Sequence, residues 1–328
     1  MRIVLSLFDG MSCGQIALKE LGVTFETYYA SEIDKFAISQ TKLNFPDTVH
    51  LGDINNWPLW NVDWAKVDLI LAGSPCQGFS FAGKQLAFDD PRSKLFFVFI
   101  EILNHVKEVN PNVKFLLENV RMKKIHQDVI TEYTGVNPIN INSNLVSAQN
   151  RNRWYWTNIE GVEQPKDRGI YLRDILEAEV DEKYYLSDTV LKGFANKTSS
   201  WKNAFRPADP SAPKDGCVTT GAGSAQVSNN FIKVSRKGSV SPNQDKASCL
   251  TGGGNSGGNH SDMDVLLVAN KNYRIRRLTP TECSRLQTIP EWYQWGCSDT
   301  QHYKMLGNGW TVDVIKHILS YLILNTYG

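Results

Sequence analysis

Arg2-Ile3-Val4-Leu5-Ser6-Leu7-Phe8-Asp9-Gly10 stands at the head of the chain, and shortly after it comes Gln15-Ile16-Ala17-Leu18-Lys19-Glu20-Leu21-Gly22. A nearly continuous apolar run that stops at Asp9-Gly10 predicts a buried strand. Apolar residues at helical spacing, closed by Gly22, predict a helix beyond a glycine turn. The unit recurs as strand Thr27–Ala30 with helix Asp34–Leu43, strand Val67–Ala72 with helix Leu95–Val106, and strand Lys114–Leu117. Strands alternating with helices predict a doubly wound α/β fold, a parallel sheet covered on both faces. Ligands of such sheets bind beyond the carboxyl ends of the strands, so the residues just after each run are the ones to inspect.

Past Asn158 the alternation is lost. Residues 200–262 are rich in Gly, Ser, Asn and Thr, with short β-like pieces such as Asn230-Phe231-Ile232-Lys233-Val234, and predict a smaller, loop-rich β domain. Within it the glycine-rich stretch Cys217–Ser224 resembles Cys249–Ser256. From Arg276 the chain turns helical again: Thr279-Pro280-Thr281-Glu282 carries a capping signal, and a last helix is expected near Val312–Leu324. The organisation expected is therefore 1–160, 161–274 as a separate domain, and 275–328 returning to the first.

With 328 residues, 41% apolar and 21% charged, the chain is long enough for a large core and unlike a disordered or fibrous composition. No apolar run approaches the roughly 20 residues that cross a bilayer, and Met1–Phe8 is too short for a signal peptide, so a soluble, cytoplasmic protein is expected. Six cysteines without a C-x-x-C pair argue against structural zinc and a disulfide framework. The net charge of +1 hides an asymmetry: Glu160–Asp188 holds nine acids against four bases, whereas Lys197–Lys246 holds eight bases against three acids.

The residues after the strands carry chemistry. The dinucleotide pattern G-x-G-x-x-G is absent, which disfavours a nicotinamide enzyme. Glu32 stands where carboxylates bind ribose hydroxyls. Gly73-Ser74-Pro75-Cys76-Gln77-Gly78-Phe79-Ser80 presents a thiol on a turn at the ligand edge, a place for a nucleophile whose thiolate form the site must favour. Glu118 ends an apolar strand, where a carboxyl suits acid–base work. Arg151 and Arg153, two residues apart, point the same way if that stretch is extended.

Taken in order, Phe8-Asp9-Gly10, Glu32, Gly52-Asp53-Ile54, Pro75-Cys76-Gln77, Glu118-Asn119-Val120, Gln149-x-Arg151-x-Arg153, Arg277-Leu278-Thr279-Pro280-Thr281-Glu282 with Cys283–Gln287, and Gly307-Asn308-Gly309 closely resemble the cytosine-C5 DNA methyltransferase family of bacterial and phage type, across nearly the whole chain. The resemblance implies a Rossmann-like, S-adenosylmethionine-dependent methyltransferase sheet with a target-recognition domain. It implies that S-adenosylmethionine lies on Phe8, Asp9 and Gly10, with Glu32 on the ribose, Asp53 near the adenine and Asn308 near the methionine end. It further implies that Cys76 attacks C6 of a flipped-out cytosine, that Glu118 holds its N3 edge, that Arg153 contacts the base carbonyl, and that Arg151 supports the site. No metal is called for.

The loop 77–92, with Lys84 and Arg92, is expected to close over the target, and the basic segment to meet duplex DNA through Lys202, Arg206, Lys233, Arg236 and Lys237. A cognate restriction endonuclease is the one protein associate the resemblance leaves open. Two departures stand out: Met11-Ser12-Cys13-Gly14 lacks the family's usual second glycine near Ser12, and Gly309-Trp310 replaces a small residue and valine, with Trp310 expected to fill core. The rival readings are a transfer-RNA methyltransferase of the same fold, whose Cys-Phe-Thr signature is missing here, and an inactive DNA-binding relative.

Overall fold

A computed structural model describes residues 1–74, 94–185, 232–235, 247–248 and 273–324, with the backbone alone at 232–235, 247–248 and 273–275. Seven strands form the central sheet: β1 (Ile3–Leu7), β2 (Thr27–Ser31), β3 (Val49–His50), β4 (Val67–Gly73), β5 (Lys114–Val120), β6 (Ile139–Asn142) and β8 (Asn152–Thr157), in the order β3-β2-β1-β4-β5-β8-β6. β3, β2, β1, β4 and β5 are mutually parallel. β8 runs antiparallel to both β5 and β6, so the sheet is mixed rather than wholly parallel as the strand–helix alternation predicts. The first 120 residues wind the parallel part; the reversed strand comes from the arginine-bearing stretch.

Each apolar run becomes a strand because both its faces are buried. Val4, Leu69, Leu71 and Leu116 pack on one side of the sheet, while Leu5, Leu7, Ala72, Phe115 and Leu117 pack on the other. The first side is covered by α1 (Cys13–Glu20), α2 (Lys35–Asn44), α6 (Pro280–Leu286), α7 (Asp299–Asn308) and α8 (Val312–Leu324). The second is covered by α3 (Lys94–Val109) and α4 (Lys124–Thr134), which brings Phe96, Phe99, Leu103 and Ile130 into the core. A one-turn helix, α5 (Leu172–Ile175), adds Leu172 and Ile175 to the first side.

Caps set the helix starts. The Asp34 side chain accepts from the Phe36 amide at 2.9 Å. At α6, Thr279 and Glu282 form the reciprocal box that their spacing predicts, with Pro280 in the first turn. Three short strands lie outside the main sheet: β7 (Gln149–Asn150) pairs in parallel with β10 (Ala247–Ser248), and β9 (Ile232–Ser235) pairs antiparallel with β11 (Tyr273–Arg276). Among the described residues no helix is long and apolar enough to cross a membrane.

Candidate active site

The carboxyl edge of the sheet gathers Phe8, Asp9, Gly10, Glu32, Asp53, Glu118 and Arg153 among the predicted residues. The turn after β1 places Phe8, Gly10 and Ser12 at positive φ, at 59°, 58° and 67°. Glycine meets this demand at Gly10 without strain, and a Cβ there would touch nothing within 4 Å, so the space over the turn is open. Glu32, at the end of β2, ties the turn down: Oε2 accepts from the Gly10 amide at 2.8 Å, and Oε1 accepts from the amides of Ile33 and Asp34, each at 2.8 Å. The Ile33 side chain is 74% exposed beside it. Asp53 is exposed and caps the short helix that follows, accepting from the Asn55 amide at 2.9 Å. Asn308 is exposed, and Gly309 after it packs on α1, where a Cβ would lie 3.2 Å from Cys13 Sγ.

Asp9 turns its carboxyl under the turn rather than over it. Tyr28 Oη donates to it at 2.9 Å. Burial pushes this carboxyl up to about 6, with the Glu32 carboxylate adding to the rise and hydroxyls of Ser6, Ser12 and Tyr28 opposing it.

The second half of the edge is built around β4 and β5. β5 extends to Val120, so Glu118 and Asn119 lie within the strand rather than beyond it. The register sets Gly73 opposite Glu118 and Val120 opposite Arg153. Glu118, 8% exposed, forms an ion pair with Arg153 Nε at 2.9 Å through Oε1 and accepts from Trp310 Nε1 at 3.2 Å through Oε2. Arg151, 3% exposed, donates from Nη2 to the carbonyls of Gly307 (3.2 Å) and Gly309 (2.8 Å). Strand pairing lapses at Arg151, between β7 and β8, yet both guanidiniums serve one cluster: Arg151 holds the main chain that carries Trp310, and Arg153 holds the carboxylate that Trp310 touches.

Asn119 Nδ2 donates to Ser74 Oγ at 3.2 Å, joining the end of β5 to the start of the turn that carries the cysteine. Cys76 itself, Lys84 and Arg92 lie outside the described residues, as do Lys202, Arg206, Arg236, Lys237 and the two glycine-rich stretches; of Lys233 only the backbone is described. The described cysteines are poor nucleophiles. Cys13 is buried and its thiol is pushed up to about 12 by desolvation, Cys283 is buried, and burial also raises Cys297.

Three features escape sequence reasoning: the Trp310–Glu118 contact, the Ser74–Asn119 bond, and an open cavity of about 470 Å³ on the opposite face of β8, lined by Arg121, Lys124, Gln127, Asn140, Asn152 and Trp154 among others. The first two join residues 192 and 45 apart in the chain, which no local pattern announces. Among the described residues no group of three or more His, Cys, Asp or Glu side chains is placed to hold a metal ion.

A profile of the family described as C-5 cytosine-specific DNA methylase matches residues 2–323. The chain belongs to that family. By family it is an enzyme, a DNA (cytosine-5-)-methyltransferase, and S-adenosylmethionine dependence is general to the family. Among curated relatives, the Type II methyltransferase M1.ScrFI of Lactococcus lactis subsp. cremoris is 33% identical over 315 residues, covering 89% of this chain and 71% of that one. The Type II methyltransferase M.NlaX of Neisseria lactamica is 28% identical, covering 96% of this chain and 94% of the relative. Among solved structures, the Entamoeba histolytica methyltransferase EhMeth superposes with a TM-score of 0.69 at 14% identity, covering 99% of each chain. A Spodoptera frugiperda DNMT2 mutant gives 0.64 at 22% identity, covering 98% of this chain and 100% of its own. At those identities the two structures speak for the fold, and the methylase fold is the one seen here.

Proposed function

We propose that this C5 methylase marks cytosine within a specific site of duplex DNA, through a covalent adduct with Cys76 on a base turned out of the helix. The observation that carries the reading is the register of Gly73 with Glu118, beside the Glu118–Arg153 ion pair. Gly73 stands opposite Glu118, and Cys76 follows Gly73 in the sequence by three residues, about 10 Å of chain at most, which supports a thiol serving that carboxylate's site.

Bound S-adenosylmethionine supplies the methyl group. The described residues fit it: the open space over Gly10 and Gly52, the fixed Glu32 carboxylate, the exposed Ile33 side chain and the exposed Asp53 follow the ends of β1, β2 and β3, and Asn308 is exposed at the end of α7. The main chain of Phe8 and Gly10 would line the site, Glu32 would take the ribose hydroxyls, Asp53 would face the adenine and Asn308 the methionine end.

In the reaction, the Cys76 thiolate adds to C6 of the cytosine, the ring electrons pass to C5, and Glu118 holds N3 while Arg153 meets the base carbonyl. C5 would take the methyl group as its bond to the sulfonium of bound S-adenosylmethionine breaks, the thioether S-adenosylhomocysteine being the leaving group. Loss of the C5 proton to a base then restores the ring and expels the thiolate. A stacked cytosine is out of reach, so the target must leave the duplex at a cost of a few kcal/mol, which contacts from the loop bearing Lys84 and Arg92 would offset. The basic stretch with Lys202, Arg206, Lys233, Arg236 and Lys237, in a target-recognition domain, would hold phosphates and read the site. A restriction endonuclease sharing that site is the partner this reading allows.

The test is to incubate the protein with S-adenosylmethionine and a long unmethylated duplex and to map 5-methylcytosine by bisulfite sequencing, with transfer RNA in a parallel reaction. Marks confined to one short motif are expected. Methyl transfer to RNA alone moves the enzyme to the RNA branch, and silence on both leaves an inactive binding relative. Cys76→Ala should abolish transfer while duplex binding persists, and activity surviving that change would refute the nucleophile.

A further inference from the structure

Trp310 does more than fill space. Its ring is buried, 8% exposed, and wedged so closely over the end of β4 that a Cβ at Gly73 would lie 2.9 Å from Nε1 and 3.2 Å from the nearest ring carbon. Only glycine leaves that room. A phenyl ring would satisfy a packing need equally well, but an indole buries an N–H that must find an acceptor. Here the acceptor is Glu118 Oε2, while Arg153 lies against Oε1. The main chain bearing Trp310 is pinned in turn, because Arg151 donates to the Gly309 carbonyl and Thr311 Oγ1 donates to Gln287 Oε1 at 2.9 Å.

We propose that Trp310 is a positioning residue for the reaction, its indole N–H holding the Glu118 carboxylate in one rotamer from the side opposite Arg153. This rests on the role given to Glu118 above. A carboxylate held at both oxygens presents its edge to the base without a search among rotamers. Arg153 alone would leave Oε2 free to swing, and the gap over Gly73 would admit water.

Single-turnover methyl transfer is measured for wild type, Trp310→Phe, Glu118→Gln and the double variant on a duplex containing the mapped site. Trp310→Phe is expected to lower the rate at saturating DNA and cofactor about tenfold or more, the scale of a lost hydrogen bond to a charged group, with both KM values within about twofold of wild type. On the Glu118→Gln background, where a neutral amide oxygen replaces the charged acceptor, the same change should cost markedly less. An unchanged Trp310→Phe rate, or an equal loss on both backgrounds, would show a packing role and overturn the inference.

A second readout does not depend on turnover or on Trp310→Phe folding. In protein carrying ¹⁵N-tryptophan, one buried indole N–H resonance should move on Glu118→Gln. If none moves, the contact is absent and the inference falls. A wild type that marks no duplex instead refutes the reading of Glu118, an outcome distinct from an active wild type with an indifferent Trp310→Phe.

Discussion

Glu32 shows how one side chain fixes two chain turns at once. Its two oxygens take three main-chain amides, of Gly10, Ile33 and Asp34, and so fix both the turn after β1 and the exit of β2. Glu32→Ala frees all three donors and lets Gly10, at positive φ in open space, wander. The dissociation constant for S-adenosylmethionine should rise about tenfold or more, as expected for loss of hydrogen bonds to a charged acceptor, while duplex affinity stays unchanged; calorimetry on both ligands checks this. At this scale the sequence names the chemical types well and the partners poorly. Glu118 and Arg153 stand out as a carboxylate after an apolar run and a guanidinium on a short spacing, but their pairing follows from β8 reversing against β5. Trp310 reads as filling because the carboxylate it touches stands 192 residues away in the chain.

Among the elements, α6 and the strand before it are joined by a fully buried ion pair. Arg276 and Glu282 are 1% and 0% exposed, with two contacts of 2.7 Å between guanidinium and carboxylate, and Glu282 also accepts from the amides of Thr279 (2.8 Å) and Glu177 (2.9 Å). Every oxygen lone pair of that carboxylate has work, so removing one partner strands a charge. Arg276→Met or Glu282→Gln should each cost about 3–5 kcal/mol, and the double variant well under the sum, measured as a double-mutant cycle by urea unfolding. β1, β4 and β5 were legible because each is buried on both faces and reads as an apolar run. β3, with only Val49 and His50, and β6, where asparagine alternates with isoleucine, carry too little apolar pattern. α4 has no side-chain cap at Lys123, and its polar face dilutes the helical spacing.

Across the whole molecule, two enclosed groups set opposing responses to acid. Asp9 is raised to about 6 by burial, so its charged form burdens the fold and stability is lost as pH climbs from 3.8 through 6, by at most about 3 kcal/mol. His302, stacked 3.4 Å over Trp295 and bonded to Ser284 Oγ, is lowered to about 3 by burial, so its contribution is present above 6.5 and lost as pH falls towards 3. Between pH 4 and 6 the two slopes oppose one another. Asp9→Asn should therefore be more stable than wild type at pH 7 and lose that advantage by pH 4, while His302→Gln should soften the loss on acidification; thermal unfolding at pH 4.5, 5.5 and 7 reads both.

The packing of α8 on α1 has a consequence for birth of the protein on the ribosome. The two helices are some 290 residues apart, and at about 5–20 residues per second the nascent chain spends roughly fifteen seconds to a minute with the face of α1 uncovered. Glu118 and Arg153 emerge more than 150 residues before Trp310 and the carbonyls that Arg151 grips. A chain released before Trp310 is made thus lacks the clasp around its carboxylate and leaves the apolar flank of α1 without its last covering helix.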